Sequence, residues 1–484
     1  MTRGDSRLSC DMNMSRQTQP VRQRRRKRLW AVVGVCAVGL AGFGWYAYPR
    51  LTLRPTPRPD YWREQAAKLR PLPANALSIT EAHAILNNMP FTIDPLVATA
   101  FVHDVMDVAR GPWTLDRKDI KAVDALFRLP VFNDPYEDMA AALDRRWAER
   151  IPMSPEEPFP DFAIYRAWAK WLAAHSRWAW EQENNTTLAM RDWLMLLQLT
   201  KQCEQSPILI SYFVSAAIKA LAIEEMMIAA LHADERFESR AFIQRALALF
   251  SPVPAPSDIL EGERLCANSA LEHLYVREGG DFAAVDEFVR WSNGAGWGGG
   301  AKRPSVLWNV LSPLFHDLPT ARAAHDAFFT ATDTCRDRIV CGMSDVIAAL
   351  PPGAPRLSSL NTAYPGAEST SVRSIELFYR SQAAFEAALA MLALSTYRQD
   401  RNVYPDELSA LVPDYLPRLP IDYADGKPLR YQNEGDRYLL YSLGTNGVDD
   451  GGVGHHDYPT AWERDGTPCP DVVFSLFERH PQQP

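Results

Sequence analysis

The chain has 484 residues, a formal net charge of −8 at pH 7, 47% hydrophobic residues and 23% charged ones. These are the fractions of a globular protein with material for a real core, and the length predicts two folded units plus appendages. The acidic balance excludes a nucleic-acid binder, which needs Lys and Arg clustered on a folded surface to neutralise phosphates.

The one dense basic run, "RQRRRKR" at 22–28, stands directly before "LWAVVGVCAVGLAGFGWYAY" at 29–48, twenty residues without a charge. That length crosses a hydrocarbon layer as a helix, and Trp30, Trp45, Tyr46 and Tyr48 fall where amphipathic rings prefer the interfaces. Basic residues flanking a span stay in the cytoplasm. The expectation is therefore a bacterial inner-membrane protein that crosses the lipid bilayer once, with residues 1–28 as a cytoplasmic tail and the bulk of the chain periplasmic or otherwise extracytoplasmic. A cleaved signal peptide competes with this reading, but the long leading tail, the long apolar stretch and the bulky aromatics at the end argue for an uncleaved anchor.

Residues 49–75 open with "PRLTLRPTPRPD" and read as a Pro-rich stalk. Five of the seven cysteines, Cys203, Cys266, Cys335, Cys341 and Cys469, follow the span in a compartment expected to be oxidising. Cys335 and Cys341 suit either a small disulfide loop or two buried thiols, and the lack of CxxC pairs argues against a thiolate zinc site.

From 76 to 350 the apolar residues keep helical spacing and predict an α-helical domain. "FAIYRAWAKWLAAHSRWAW" (162–180) puts Tyr165, Trp168, Trp171, Leu172, His175 and Trp178 on one helical face. Such a stripe is either a ligand pocket or, more commonly, core with a satisfied histidine. The apolar stretch 191–231 divides at Ser206-Pro207, which predicts a second helix with Pro207 in its first turn and Ser206 as its cap. The glycine-rich segment 292–305 fails the phosphate-loop pattern, because Ala301 separates Gly300 from Lys302 and Arg303 stands where a hydroxyl residue belongs. It reads as an inter-helix loop.

"PPGAPRLSSLNTAYPGAESTS" (351–371) is a composition break and the predicted linker to a C-terminal domain, 372–484, expected to be large enough to fold by itself. That domain opens with a long helix carrying Ile375, Phe378, Phe385, Leu389 and Leu392, followed by "PLRYQ" and "RYLLYSL" as a hairpin around Asn433-Glu434-Gly435-Asp436, and "DVVFSLF" (471–477) as a third strand.

An ordered set of residues here, Tyr404-Pro405, Leu408, Leu411, Leu419-Pro420, Asp422, Gly426, Pro428, Tyr431, Tyr438, Ser442-Leu443-Gly444, Gly447 and Gly451-Gly452, resembles the C-terminal half of the major pseudopilin of type II secretion systems. The segment 191–220 is similar to membrane-anchored bacterial proteins of unknown function with the same tail. The first resemblance implies an α+β module, a long helix on a three-stranded antiparallel sheet, closed by a calcium-binding loop. The chain departs from that family in its long leading tail and in a span that contains no acidic residue, so assembly into a pseudopilus is not expected, and a shared fold does not carry function.

"YSLGTNGVDDGG" (441–452) suits a polar turn, where Asn-Gly and Asp-Gly are common, and equally a calcium loop, since calcium takes six to eight oxygens from carboxylates, amides and carbonyls. Its place within the resembling family favours calcium in a structural role. Asp449 and Asp450 come first as ligands, then Asn446 and Asp471, with Asp457 and Asp465 also near in sequence. Other chemical candidates are scattered. "HHDY" (455–458) pairs adjacent histidines that point apart; Glu224-Glu225 and His103-Asp104 share that difficulty on a helix. No metalloprotease or nucleophile-elbow pattern is present, so no catalytic residue is assigned. The sequence reads as a mainly α, membrane-anchored, non-catalytic interaction or structural protein with an unknown envelope partner. The alternative is a periplasmic hydrolase with its site in the helical domain, distinguished by whether Trp168 and His175 line a cleft or a packed core.

Overall fold

The structure, a computed structural model, describes residues 45, 56–89, 123–149, 151–153, 157, 159–231, 238–251, 253, 255–275, 318–334, 336, 343–351, 367–444, 447–452, 454–455 and 471–475. The predicted span apart from Trp45, the basic run, the glycine-rich loop at 292–305 and Cys335, Cys341 and Cys469 lie outside these residues. Among the described residues no helix is long and apolar enough to cross a membrane.

The architecture is mainly helical with a small sheet of three antiparallel strands and a short fourth strand added in parallel at one edge. The stretch expected as a stalk contains a helix, α1 (Pro59–Leu69), which starts on a proline at its first turn, where the missing N–H costs nothing. Trp62 and Ala66, one turn apart, bury against Ile151, Met153, Ile208 and Leu265. Arg58, just before α1, fixes its entry by donating from its backbone N–H and its guanidinium to the buried Glu272 at 2.9 and 2.8 Å. Helix α2 (Ile79–Asn87) begins with a reciprocal cap between Ser78 and Glu81.

Four helices then form the centre of the array: α3 (Asn133–Leu143), α4 (Phe162–Glu181), α5 (Thr186–Cys203) and α6 (Leu209–Leu231). The predicted stripe on α4 is buried along its whole length. The predicted break between α5 and α6 is also present, but its cap is not the expected one. Ser206 Oγ is buried without a partner among the described residues, and the Leu209 amide instead donates to Glu263 Oε2 at 3.0 Å. Glu263 lies on α8 (Pro256–Tyr275), which presses so closely here that a Cβ on Gly262 would meet the Pro207 carbonyl oxygen at 1.6 Å. Tertiary packing has replaced a local cap with a long-range carboxylate. Helix α7 (Arg240–Leu249) packs on α5, while α9 (Leu318–Asp333) and α10 (Met343–Ala349) form a smaller core with α8 through Leu260, Phe328 and Val346.

Helix α11 (Ala367–Arg401) is the long helix expected before the sheet. It packs on α6 and α7 of the array as well as on the sheet, so the central core runs without a break from Leu77 to Phe474. Strands β1 (Arg430–Asn433) and β2 (Tyr438–Ser442) form the predicted hairpin, with Arg430 opposite Tyr441 and Asn433 opposite Tyr438. Between β1 and β2 in space the sheet has no insertion: β2 pairs antiparallel with β4 (Asp471–Val473). A two-residue strand that the sequence did not signal, β3 (Gly454–His455), adds to β4 in parallel.

Candidate functional site

The loop after β2 and the start of β4 come together around Asp471. Its carboxylate is 0% exposed, and Oδ2 accepts the backbone N–H groups of Asp450 and Gly452, both at 2.9 Å. The other oxygen, Oδ1, is buried with no partner among the described residues. Burial pushes the Asp471 carboxyl up, the two amide donors hold it down, and the charges of Asp449 and Asp450 push it up further. Gly452 must be glycine for this arrangement: its φ is +75° and a Cβ there would strike Leu439 at 2.6 Å.

Asp449 is held differently. Its Oδ1 accepts from the Tyr441 hydroxyl and from the Gly451 N–H, each at 3.0 Å, and its Oδ2 lies 3.9 Å from Arg430 Nε. The structure thus brings Asp449, Asp450 and Asp471 to one loop. Asn446, Asp457 and Asp465 lie outside the described residues. Among the described residues no group of three or more His, Cys, Asp or Glu side chains is close enough to hold a metal ion. The observation that suits a cation is the unpartnered Asp471 oxygen, since a buried acceptor left unmade costs about 1–3 kcal/mol and a calcium ion would satisfy it with an oxygen-only ligand set.

The loop is positioned by a residue quoted only as part of the resemblance. Asp422 is 0% exposed and accepts four hydrogen bonds: from Ala424 N at 3.0 Å, Arg430 Nη1 at 2.9 Å, Ser442 Oγ at 2.7 Å and Leu443 N at 2.9 Å. It ties the turn before β1 to the end of β2, where the acidic loop departs.

In the array, His175 is enclosed. Its Nδ1 lies 2.7 Å from Asp192 Oδ2, and Asp192 Oδ1 accepts from the Tyr136 hydroxyl at 2.8 Å. The imidazole stacks on Trp171 at 4.7 Å and is bordered by Phe127, Tyr136 and Trp178. Trp168 is 1% exposed and gives its indole N–H to the Leu86 carbonyl. This is a packed core with a satisfied histidine, not a cleft. Cys203 and Cys266 are buried free thiols whose burial pushes them up, the opposite of an activated nucleophile.

Of the scattered candidates, His455 lies in β3, while His456, Asp457 and the His103-Asp104 pair are outside the described residues. Glu224 and Glu225 diverge as helical geometry requires: Glu224 is exposed and Glu225 is buried. Glu225 accepts from Arg177 Nη2 at 2.9 Å. Nearby, Lys219 is buried, donates to Gln382 Oε1 at 3.1 Å and sits over Phe250 and Phe385 at 4.6 and 4.7 Å; burial pushes it down to about 7. The sequence signal for both groups was a charge inside an apolar face. Periodicity alone does not tell such a charge from one at the rim.

No protein-family model, curated protein or solved structure matches the chain.

Proposed function

We propose that the protein is a membrane-anchored, non-catalytic interaction or structural protein of the bacterial envelope, connected with secretion, whose C-terminal domain is a pseudopilin-like module stabilised by calcium. The observation that carries this reading is the Asp471 oxygen that has no partner among the described residues, beside the 447–452 loop, together with a long helix and a sheet in which β1, β2 and β4 are antiparallel. The proposed ligands are Asp449, Asp450, Asp471 and Asn446, and because the first three do not stand close enough together to form a metal cluster, binding would have to draw the loop in around the ion. Calcium supplies charge neutralisation there and no chemistry. The basic run and uncharged span at 22–48 support a cytoplasmic N-terminus and an exported body, and the closed packing around His175 supports a structural role for the array.

Two experiments test this. Reporter fusions after residue 60 are expected to be active only with a reporter that needs export; a cytoplasm-active fusion overturns the location. In-cell crosslinking of the anchored protein is expected to recover an envelope protein, and recovery of cytoplasmic proteins alone overturns the partner assignment.

A further inference from the structure

A groove of about 630 Å³ lies on the seam where α7 and α11 meet the loop before the sheet. Phe250, at the end of α7, and Phe385, on α11, bring their rings within 5.0 Å of each other, and Val253, Pro417 and Ile421 add apolar surface. Sites for small molecules have this character, about 300–1,000 Å³ of mainly apolar lining with a few placed polar groups.

The charges in the lining cancel. Arg418 donates to both oxygens of the Glu386 carboxylate, and no other ionised group lines the groove among the described residues. Burial pushes the Tyr423 phenol up to about 12, with Glu386 adding to the rise and Arg418 opposing it, so this lining group also stays uncharged at neutral pH. Lys219 lies behind the two phenylalanine rings. Burial pushes its amine down to about 7 against the pull of Glu204, with Lys201 lowering it and Glu386 raising it.

One polar group is left open on this neutral surface. Gln382 lines the groove, is 5% exposed and accepts from Lys219 through Oε1 at 3.1 Å. Lysine donates, so the amide oxygen faces it and the NH2 group turns away. That NH2 makes no hydrogen bond among the described residues. A donor on an apolar surface without net charge calls for a partner that accepts and carries no charge.

We propose that this seam binds an uncharged molecule with an aromatic body and a carbonyl oxygen, the ring set against Phe250 and Phe385 and the oxygen accepting from the Gln382 NH2.

Titration calorimetry on the full chain tests this with 4-phenyl-2-butanone, against 4-phenylbutylamine and 4-phenylbutyrate, which carry a similar body with a positive and a negative charge. The ketone is expected to saturate one site and to bind at least tenfold tighter than either ion, because a charge enters an apolar groove at a cost unless a counter-charge meets it. Gln382→Glu keeps an oxygen for Lys219 and removes the donor, and is expected to weaken the ketone roughly tenfold. Ala248→Trp, at an exposed position of the lining, puts a ring into the groove and is expected to abolish binding without moving the melting midpoint. The proposal is overturned if either ion binds as tightly as the ketone, if Gln382→Glu binds the ketone like the wild type, if binding survives Ala248→Trp, or if no saturable heat appears at millimolar ketone. Should Gln382→Glu melt below the wild type, Ala248→Trp and the two ions decide, and binding that survives the tryptophan overturns the proposal.

Discussion

Replacing Asp471 by asparagine separates a calcium loop from a polar turn. In the wild type Oδ2 holds the loop through two amides at 2.9 Å while Oδ1 is buried with no partner among the described residues. An asparagine oxygen can still accept both amides, and the substitution removes a charge that burial, Asp449 and Asp450 all disfavour. Without calcium the variant is therefore expected to lie within about 1 kcal/mol of the wild type, the net worth of an ordinary hydrogen bond. With calcium the two diverge. An ion that binds only the folded chain at a hundredfold excess over its dissociation constant contributes about 2.7 kcal/mol. Unfolding entropy of roughly 2.1 cal/mol/K per residue comes to about 1 kcal/mol/K for a chain of this length. The wild-type midpoint should then rise by about 3 °C on that scale, and the Asp471→Asn midpoint should not move. The assay is thermal melting of the full chain in calcium and in chelator. An equal rise in the variant, or no rise in the wild type, refutes the calcium reasoning.

Three further outcomes follow from the packing. Gly262→Ala forces a methyl group against the Pro207 carbonyl and is expected to destabilise by about 1–3 kcal/mol, the usual range for overpacking; an unchanged denaturation midpoint would mean that α8 does not approach α6 so closely. Asp422→Ala strips four donors of their acceptor and should cost about 3–5 kcal/mol, as breaking a buried charged network does, with Asp422→Asn recovering part of it; denaturant melts of the two variants check the order. Glu225 retains its proton in the fold up to about 8, so its contribution is complete below its ordinary carboxylate range and is lost as pH rises through 8. The midpoint difference between wild type and Glu225→Gln should therefore shift against the wild type from pH 5 to 8, and a pH-independent difference would contradict the assignment.

Elements with a strong local signature were legible in the sequence. The α4 stripe, the break between α5 and α6 and the β1–β2 hairpin are all present, because apolar spacing and turn residues act within a few positions of themselves. What stayed hidden depends on partners far along the chain. Nothing near Ser206 signals that Glu263 takes over the cap of α6, and β3 is two residues long with its only partner in β4. Helix α1 was masked by the prolines around it, although Trp62 and Ala66 were already one turn apart. The same limit applies to the sites. The acidic loop was visible as composition, but the bare Asp471 oxygen and the Arg177–Glu225 pair beside a cavity are facts of burial, which a charge pattern does not encode.

The C-terminal sheet and the helical array are distinct in composition and joined in packing. From Ala383 to Leu394 every side chain of α11 is buried, and eleven of those twelve positions are Ala, Leu, Met or Phe with at most 2% exposure, the twelfth being Glu386 at 5%. A helix apolar on all sides needs cover on all sides, and here α6 and α7 supply one part of it and β2 another. Arg418, in the loop before the sheet, closes the seam by donating to Glu386 at 3.0 Å. A module cut at residue 372 would carry this helix with its array-facing side open to water, so its independence rests on the sheet alone covering α11. In the intact chain the shared helix has a different consequence. Free energy gained at the 447–452 loop is not confined to the module, because the sheet that the loop completes holds the same helix that α6 rests on. An ion bound at Asp471 is expected to slow amide exchange in α6 as well as in β2, and protection limited to β2 would show that the module and the array open separately.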